Sequence, residues 1–335
     1  MAKLRMNQAI AEAMRREMTE DPTVVLIGED VAVAQGVFKT SEGLFDEFGD
    51  LRVRDTPISE MGFLGAGVGA AATGLRPIVE IMFVEFLGVA LDQLVTEAAK
   101  IRFLSSGRYT SPLVVRASVG AGGGFGCQHS QTLENWFAAT PGLTVCEASG
   151  ARTAYGLLRS AIRSEDPVVV LEPRVLYGVR EEFDPDDTVI ELGKAEVVRA
   201  GDEVTIVGLG QTAVAARDAA EQADFSAEVI DLLTIQPWDR ETVLESVGKT
   251  GRLVVVEESP YSGGWGAGIV AEVATRAYGS LAAAPFRVTA PDVPVPFGKY
   301  LEEQYVPSVE RIIGEIGTYL SEGTPPQPWW EGISA

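Results

Sequence analysis

The sequence predicts an α/β fold of two domains, each built on a mainly parallel sheet. Short β-branched runs alternate with helical patterns, beginning with Val24-Val25-Leu26-Ile27-Gly28, which stops at glycine as a strand buried on both faces would. The alternation restarts after Glu181-Glu182-Phe183-Asp184-Pro185-Asp186-Asp187, an acidic, proline-containing stretch that reads as the start of a linker. A length of 335 residues is enough for two ordinary cores. The expected division is therefore a first domain over 1–180, a linker over 181–201 and a second domain over 202–335.

Each element follows from local pattern. Met6 to Met18 sets apolar and charged residues at helical spacing, and Asp21-Pro22 ends it. Gly65 to Thr73 reads as a small-residue helix, Arg76 to Met82 as a strand and Val89 to Leu104 as one long helix. Strands at Pro112 to Ala117 and Val168 to Glu172 flank a helix over Ala154 to Arg163. In the second half, strands are expected at Val204 to Val207, Ala227 to Leu233, Leu253 to Val256 and Phe286 to Thr289. Helices over Ala213 to Ala223, Arg240 to Gly248 and Gly266 to Tyr278 alternate with them. The tail from Pro325-Pro326 to Ala335 is expected to pack loosely or against a partner.

Composition narrows the function. A net charge of −21 disfavours a nucleic-acid partner, whose phosphates would be repelled. The two cysteines, Cys127 and Cys146, make no disulfide framework and have no metal-ligand spacing. The start, Met1-Ala2-Lys3-Leu4-Arg5, lacks the apolar core of a signal peptide, and no apolar stretch is long enough to span a bilayer. A reducing, cytoplasmic setting is the expectation.

Several motifs invite chemistry. Gly208-Leu209-Gly210-Gln211-Thr212-Ala213 follows a strand and opens a helix, with Asp231 ending the next strand, as in a dinucleotide fingerprint. Any βαβ unit needs small residues at that turn, so the match also arises without a nucleotide. Gly65-Ala66-Gly67-Val68-Gly69 is a weaker match. Gly120-Ala121-Gly122-Gly123-Gly124-Phe125-Gly126 lacks the ending of a P-loop and leads into Gln128-His129-Ser130-Gln131. His129 is the single histidine; after a mobile glycine loop it suits a general acid, and read from the residues alone it is as readily structural. Glu60, at a turn-to-helix junction, reads alone as a helix N-terminal acid, and Phe83 and Phe86 as core aromatics.

Taken in order, these segments resemble one family, the β subunits of the E1 component of thiamin-diphosphate-dependent 2-oxoacid and acetoin dehydrogenases. The matching stretches include Ile27-Gly28-Glu29-Asp30-Val31, Asp55-Thr56-Pro57-Ile58-Ser59-Glu60, Gly74-Leu75-Arg76-Pro77, Gln128-His129-Ser130-Gln131, Pro141-Gly142-Leu143 and Leu176-Tyr177-Gly178. Leu233-Thr234-Ile235-Gln236-Pro237-Trp238-Asp239 and Val255-Val256-Glu257-Glu258 resemble a transketolase C-terminal domain. The resemblance implies an N-terminal domain that binds the pyrimidine of thiamin diphosphate, followed by a transketolase-type domain. Glu60 matches the glutamate that hydrogen-bonds the pyrimidine N1′ and drives formation of the C2 carbanion. Phe86 matches an aromatic packed on that ring, Glu29 an acid near the cofactor, and His129 a proton donor in acyl transfer to lipoyl.

The family holds the diphosphate through Mg²⁺ with a Gly-Asp-Gly motif. This sequence has none, so the resemblance implies that an E1 α subunit brings it, in an α2β2 heterotetramer docked to a lipoyl-bearing E2 acyltransferase. Some members bind K⁺, and Leu113, Ala161, Ile162, Ser164 and Asp166 stand at the matching places. Glu85 stands where many relatives have Asp, and Arg102-Phe103-Leu104-Ser105-Ser106-Gly107 also departs from the usual pattern. Leu176-Tyr177-Gly178 and Ile81-Met82-Phe83 lean towards a pyruvate or acetoin substrate. The rival expectations are an NAD-dependent oxidoreductase using the Gly208 turn and a non-catalytic scaffold subunit.

Overall fold

A computed structural model describes residues 1–331, so the last four residues of the tail lie outside the described residues. The chain folds as two compact units, neither continuous in sequence. The first comprises Met1–Val119, Trp136–Leu192 and Thr234–Pro237, and the second Gly120–Asn135, Gly193–Leu233 and the remainder from Trp238.

Among the described residues the strands are β1 (Ala2–Arg5), β2 (Val24–Gly28), β3 (Val53–Asp55), β4 (Arg76–Ile81), β5 (Val114–Val119), β6 (Thr144–Glu147) and β7 (Val168–Pro173). They continue as β8 (Arg180–Phe183), β9 (Glu196–Arg199), β10 (Val204–Gly208), β11 (Ala227–Asp231), β12 (Thr234–Gln236), β13 (Leu253–Pro260) and β14 (Phe286–Ala290). The first unit holds a seven-stranded sheet in the order β12-β6-β7-β5-β4-β2-β3. All its pairs are parallel except β12 with β6. β1 and β8 add a two-stranded antiparallel ribbon. The second unit holds five strands in the order β14-β13-β10-β11-β9, with only β9 antiparallel.

Helices Met6–Glu20 and Ala151–Arg163 pack on one another, and buried Glu17 there accepts from Arg159 Nε at 2.7 Å. Helix Glu60–Ala72 can lie close on β4 because its side chains are small. A Cβ on Gly67 would come within 2.7 Å of Val79 Cγ2. The long helix expected over Val89 to Leu104 is broken into Leu87–Asp92, a π-turn over Gln93–Ala98 and Ile101–Leu104. The reason is a wide hydrogen bond, Ala99 N–H to Leu94 O at 3.0 Å, which shifts the register of the turn.

Two helices absent from the expectations matter later: Lys299–Tyr305 and Val309–Glu322. The latter buries Ile312, Ile316 and Tyr319 at helical spacing and is capped by the Ser308 hydroxyl, which accepts from Arg311 N–H. The tail was expected to be loose or partner-bound; in its described part, Trp329 and Trp330 pack on their own unit. Arg311 lies 4.2 Å over the Trp329 ring, and Tyr261 meets Trp330 edge-on at 5.9 Å.

Adjacent strands of the first sheet bury a charge network. Arg116 on β5 donates through Nη1 to Glu80 on β4 at 2.6 Å, and through Nε and Nη2 to Glu172 on β7 at 2.8 and 3.0 Å. Thr40 and the Tyr177 hydroxyl supply further donors to the two carboxylates. Removing the cation would strand two buried negative charges. Arg116→Met should therefore cost about 3–5 kcal/mol, measured as a lower urea midpoint. A loss below about 1 kcal/mol, the scale of an exposed pair, would mean that the network is not desolvated in solution.

Candidate functional site

In open parallel sheets, ligands gather outside the carboxyl ends of the strands. At that edge of the first sheet the chain leaves β2 at Gly28 and enters Glu29, while β3 ends at Asp55. The two loops are laced together. Asp55 Oδ1 accepts from Ala32 N–H at 2.7 Å, and Thr56 N–H donates to Gly28 O at 3.0 Å. The second loop runs directly into helix Glu60–Ala72, whose first residue is buried at 9% exposure.

This lacing brings Glu29 within electrostatic reach of Glu60. Burial, and next the charge of Glu60, push the Glu29 carboxyl above its ordinary range, against a backbone N–H from Ser59 that pulls the other way. No cation figures among the influences on Glu29, and its buried Oε1 has no hydrogen-bond partner. A pair of this kind favours sharing a proton or receiving a donor from a ligand. The unpartnered oxygen beside a second acid fits the polar edge of a heterocycle.

Phe86 is half-buried just ahead of helix Leu87–Asp92, which packs on the helix that begins at Glu60. It meets Phe83 edge-on at 5.7 Å, and Phe83 meets Phe38 at 5.7 Å. The Arg174 guanidinium lies 5.0 Å over Phe83, while Phe38 packs on Tyr177 at 5.2 Å. An aromatic wall thus runs from Phe86 to the buried Arg116 network. Phe38 and Arg174 were not expected in it. Both sit where loops meet, and no local pattern announces them.

His129 belongs to the second unit, on a loop that differs from the mobile one expected. Gly120, Gly122, Gly124 and Gly126 all take left-handed backbone, with φ of 91°, 100°, 73° and 72°. The alternation turns several amides to a common side, and two buried carboxylates accept from them. Glu302 takes Gly122 N–H at 2.8 Å and Gly124 N–H at 2.9 Å, and Glu258 takes Ala121 N–H. Beyond the glycines, His129 N–H donates to Gly126 O at 3.2 Å, and Gly120 N–H donates to Gln131 O at 3.2 Å. Glu134 follows on this segment. Burial, with Glu258 and Glu257 nearby, pushes its carboxyl well above the ordinary range.

The residues considered for K⁺ are engaged within the chain. Leu113 O accepts from Val168 N–H at 2.9 Å and Ala161 O from Ser164 N–H at 3.1 Å. Ile162 O and Ser164 O accept from the Arg76 guanidinium at 3.2 and 2.9 Å, and Asp166 pairs with Arg102. Cationic side chains already serve the oxygens of Ile162, Ser164 and Asp166, so the set does not fit an open cation cage. Among the described residues no group of three His, Cys, Asp or Glu side chains is placed to hold a metal.

The Gly208 turn is explained by packing. A Cβ on Gly208 would lie 2.6 Å from Ala213 Cα, so glycine is what lets helix Gln211–Gln222 approach β10. The Thr212 hydroxyl is bonded to Leu209 and Val256, and Gln211 donates to Glu258. Asp231, at the end of β11, is buried at 3% exposure.

Comparison with known proteins matches two domains in sequence order, with residues 120–135 of the second unit falling inside the first match. The profile described as "Transketolase, pyrimidine binding domain" matches residues 2–180, and "Transketolase, C-terminal domain" matches residues 193–312. The pyruvate dehydrogenase E1 component subunit beta of Rhizobium meliloti is 42% identical over 320 residues, 94% of this chain and 70% of that one. The acetoin:2,6-dichlorophenolindophenol oxidoreductase subunit beta of Cupriavidus necator is 42% identical over 323 residues, 92% of this chain and 95% of that one. Among solved structures, a split-gene transketolase described as an inactive beta4 tetramer superposes with a TM-score of 0.77 at 26% identity, covering 95% of this chain and 98% of that one.

Proposed function

Because the chain belongs to the family of E1 β subunits built from transketolase pyrimidine-binding and C-terminal domains, we propose that it forms one half of a thiamin-diphosphate-dependent 2-oxoacid or acetoin dehydrogenase. An E1 α subunit supplies the other half, with Mg²⁺ and the diphosphate, in an α2β2 assembly that passes acyl groups to a lipoyl-bearing E2. The observation that carries this reading is the Glu29–Glu60 pair, with its unpartnered buried oxygen at the carboxyl edge of the first sheet.

When bound, thiamin diphosphate supplies the nucleophilic carbon and the electron sink for loss of carbon dioxide. Glu60 forms the hydrogen bond to the pyrimidine N1′, and Glu29 is the second acid at that end of the ring. Phe86 offers an apolar face to the ring and keeps water from it. His129 donates its proton to the thiolate released when acyl transfer opens the lipoyl disulfide, a task suited to an imidazole. Since the residues at 113, 161, 162, 164 and 166 do not fit an open cage, no step is assigned to K⁺. No helix among the described residues is long and apolar enough to cross a membrane, and we place the complex in the cytoplasm.

Pyruvate or acetoin is the proposed substrate. Turnover by the reconstituted complex, followed by reduction of 2,6-dichlorophenolindophenol, should be faster with these than with branched-chain 2-oxoacids; the reverse order would overturn the assignment. His129→Ala in that complex should slow reductive acylation of a lipoyl domain about 10²–10⁴-fold and dye-coupled decarboxylation much less. Equal losses in both assays would move His129 to substrate binding, and no loss in either would return it to a structural role.

A further inference from the structure

The glycine loop ahead of His129 has the shape of an anion site and is already filled. Its alternating left-handed glycines form a backbone nest of the kind that cradles phosphates. Here the anion is the carboxylate of Glu302, 2% exposed, with one oxygen on Gly122 N–H and the other on Gly124 N–H. Glu302 is fixed in turn by the short helix Lys299–Tyr305, where its own N–H donates to Gly298 O at 2.9 Å. Tyr305 of that helix packs with Ala121 in a small buried cluster that includes Ala290 and Val295. Glu258 accepts Ala121 N–H, and Gln211 occupies its other oxygen. Three loop amides are thereby set by two carboxylates. The far side of the loop is tied to the histidine segment by the bonds from His129 N–H to Gly126 O and from Gly120 N–H to Gln131 O.

We infer that Glu302 is a positioning residue for His129: by occupying the glycine nest from within the chain, it fixes the loop conformation in which the histidine is presented for acyl transfer. The inference rests on the acyl-transfer reading of His129 and adds the group that holds its loop. The physical requirement is specific. Two converging amide donors need an acceptor with two oxygens, and no residue but Glu offers both at this length from the helix. A glutamine keeps the shape, yet sets an NH₂ against an N–H and retains only one of the two bonds.

The test uses the full chain and the complex reconstituted with its α partner. In Glu302→Gln, amide hydrogens of the 121–126 segment should exchange faster than in the wild type, while those of helix Val309–Glu322 keep their protection. Reductive acylation of a lipoyl domain should fall roughly 10- to 100-fold, the scale of a misplaced reacting group, with a much smaller effect on dye-coupled decarboxylation. Glu302→Asp, which keeps the charge but reaches less far, should lie between. On a His129→Ala background, Glu302→Gln should cost nothing further, because the group it positions is gone.

Unchanged loop exchange in Glu302→Gln would overturn the inference outright. So would equal losses in the two assays, or the same fold-loss in acylation with and without His129. If His129→Ala alone spares acylation, the acyl-transfer reading fails and the positioning role fails with it. If His129→Ala impairs acylation and Glu302→Gln does not, only the Glu302 inference is lost.

Discussion

The isolated chain is expected to bind thiamin diphosphate weakly and to turn over no 2-oxoacid, with Mg²⁺-dependent activity appearing when an α chain bearing Gly-Asp-Gly is added. The reason lies in the phosphate end of the cofactor. A diphosphate carries several negative charges, and this chain carries a net −21 with no Gly-Asp-Gly. Among the described residues no three acidic, histidine or cysteine side chains converge on a metal position. The glycine-rich nest over residues 120–126, which could otherwise cradle a phosphate, is filled by Glu302. What the chain can offer is the opposite end, a carboxylate pair and an aromatic wall suited to a neutral ring. Calorimetric titration of the chain with the cofactor and Mg²⁺, alone and with the α partner, would measure the difference. Tight binding and turnover by this chain alone would sink the two-subunit reading.

Glu60→Gln in the assembled complex should slow deuterium exchange at the cofactor C2 by about 10²–10⁴-fold, the usual contribution of a positioned acid–base group. Glu60 begins a helix, where an exposed acid would serve only the helix dipole, worth about 0.3–1 kcal/mol. Its burial and its pairing with Glu29 ask for more. The charge of Glu60 helps to push the Glu29 carboxyl above its ordinary range, so this edge of the sheet is suited to receiving a donor from a ring. Glutamine removes the exchangeable proton and keeps the volume, so the fold and the urea midpoint should stay near wild type. Exchange at the wild-type rate would take Glu60 out of the role, and a large fall in stability would make it a structural acid.

Much of the fold was legible in sequence because its signals are local. Val24–Gly28 and Val204–Gly208 announce themselves as buried strands by β-branched composition. The two helices missed near the C-terminus had signals that could have been read. Ser308 precedes Ile312, Ile316 and Tyr319 at helical spacing, and Gly323 ends the helix in left-handed backbone. The unbroken helix expected over Val89 to Leu104 was wrong for a different reason. One i to i−5 hydrogen bond is decided by packing around Leu94 and Ala98, and periodicity carries no trace of it.

The candidate site divides the same way. Glu60, Glu29, Phe86 and His129 were named through the family resemblance that an ordered set of short motifs carries; read singly, Glu60 and Phe86 were a helix acid and a core aromatic. By itself, then, the sequence determined the α/β alternation, the family and the residues worth testing, because composition, spacing and motif order are properties of neighbouring residues. Only the tertiary structure decided what each acid faces. Strand order sets Glu80 on β4 and Glu172 on β7 on either side of Arg116 on β5, and the lacing of two loops brings Glu29 within electrostatic reach of Glu60. Glu302 reaches Gly122 from 180 positions away in the chain. In sequence each of these is one carboxylate among 48 acidic residues. Burial removes the water that makes acids alike, and the partner brought close by the fold then fixes whether a carboxyl pairs with a cation, keeps a proton or holds a backbone loop.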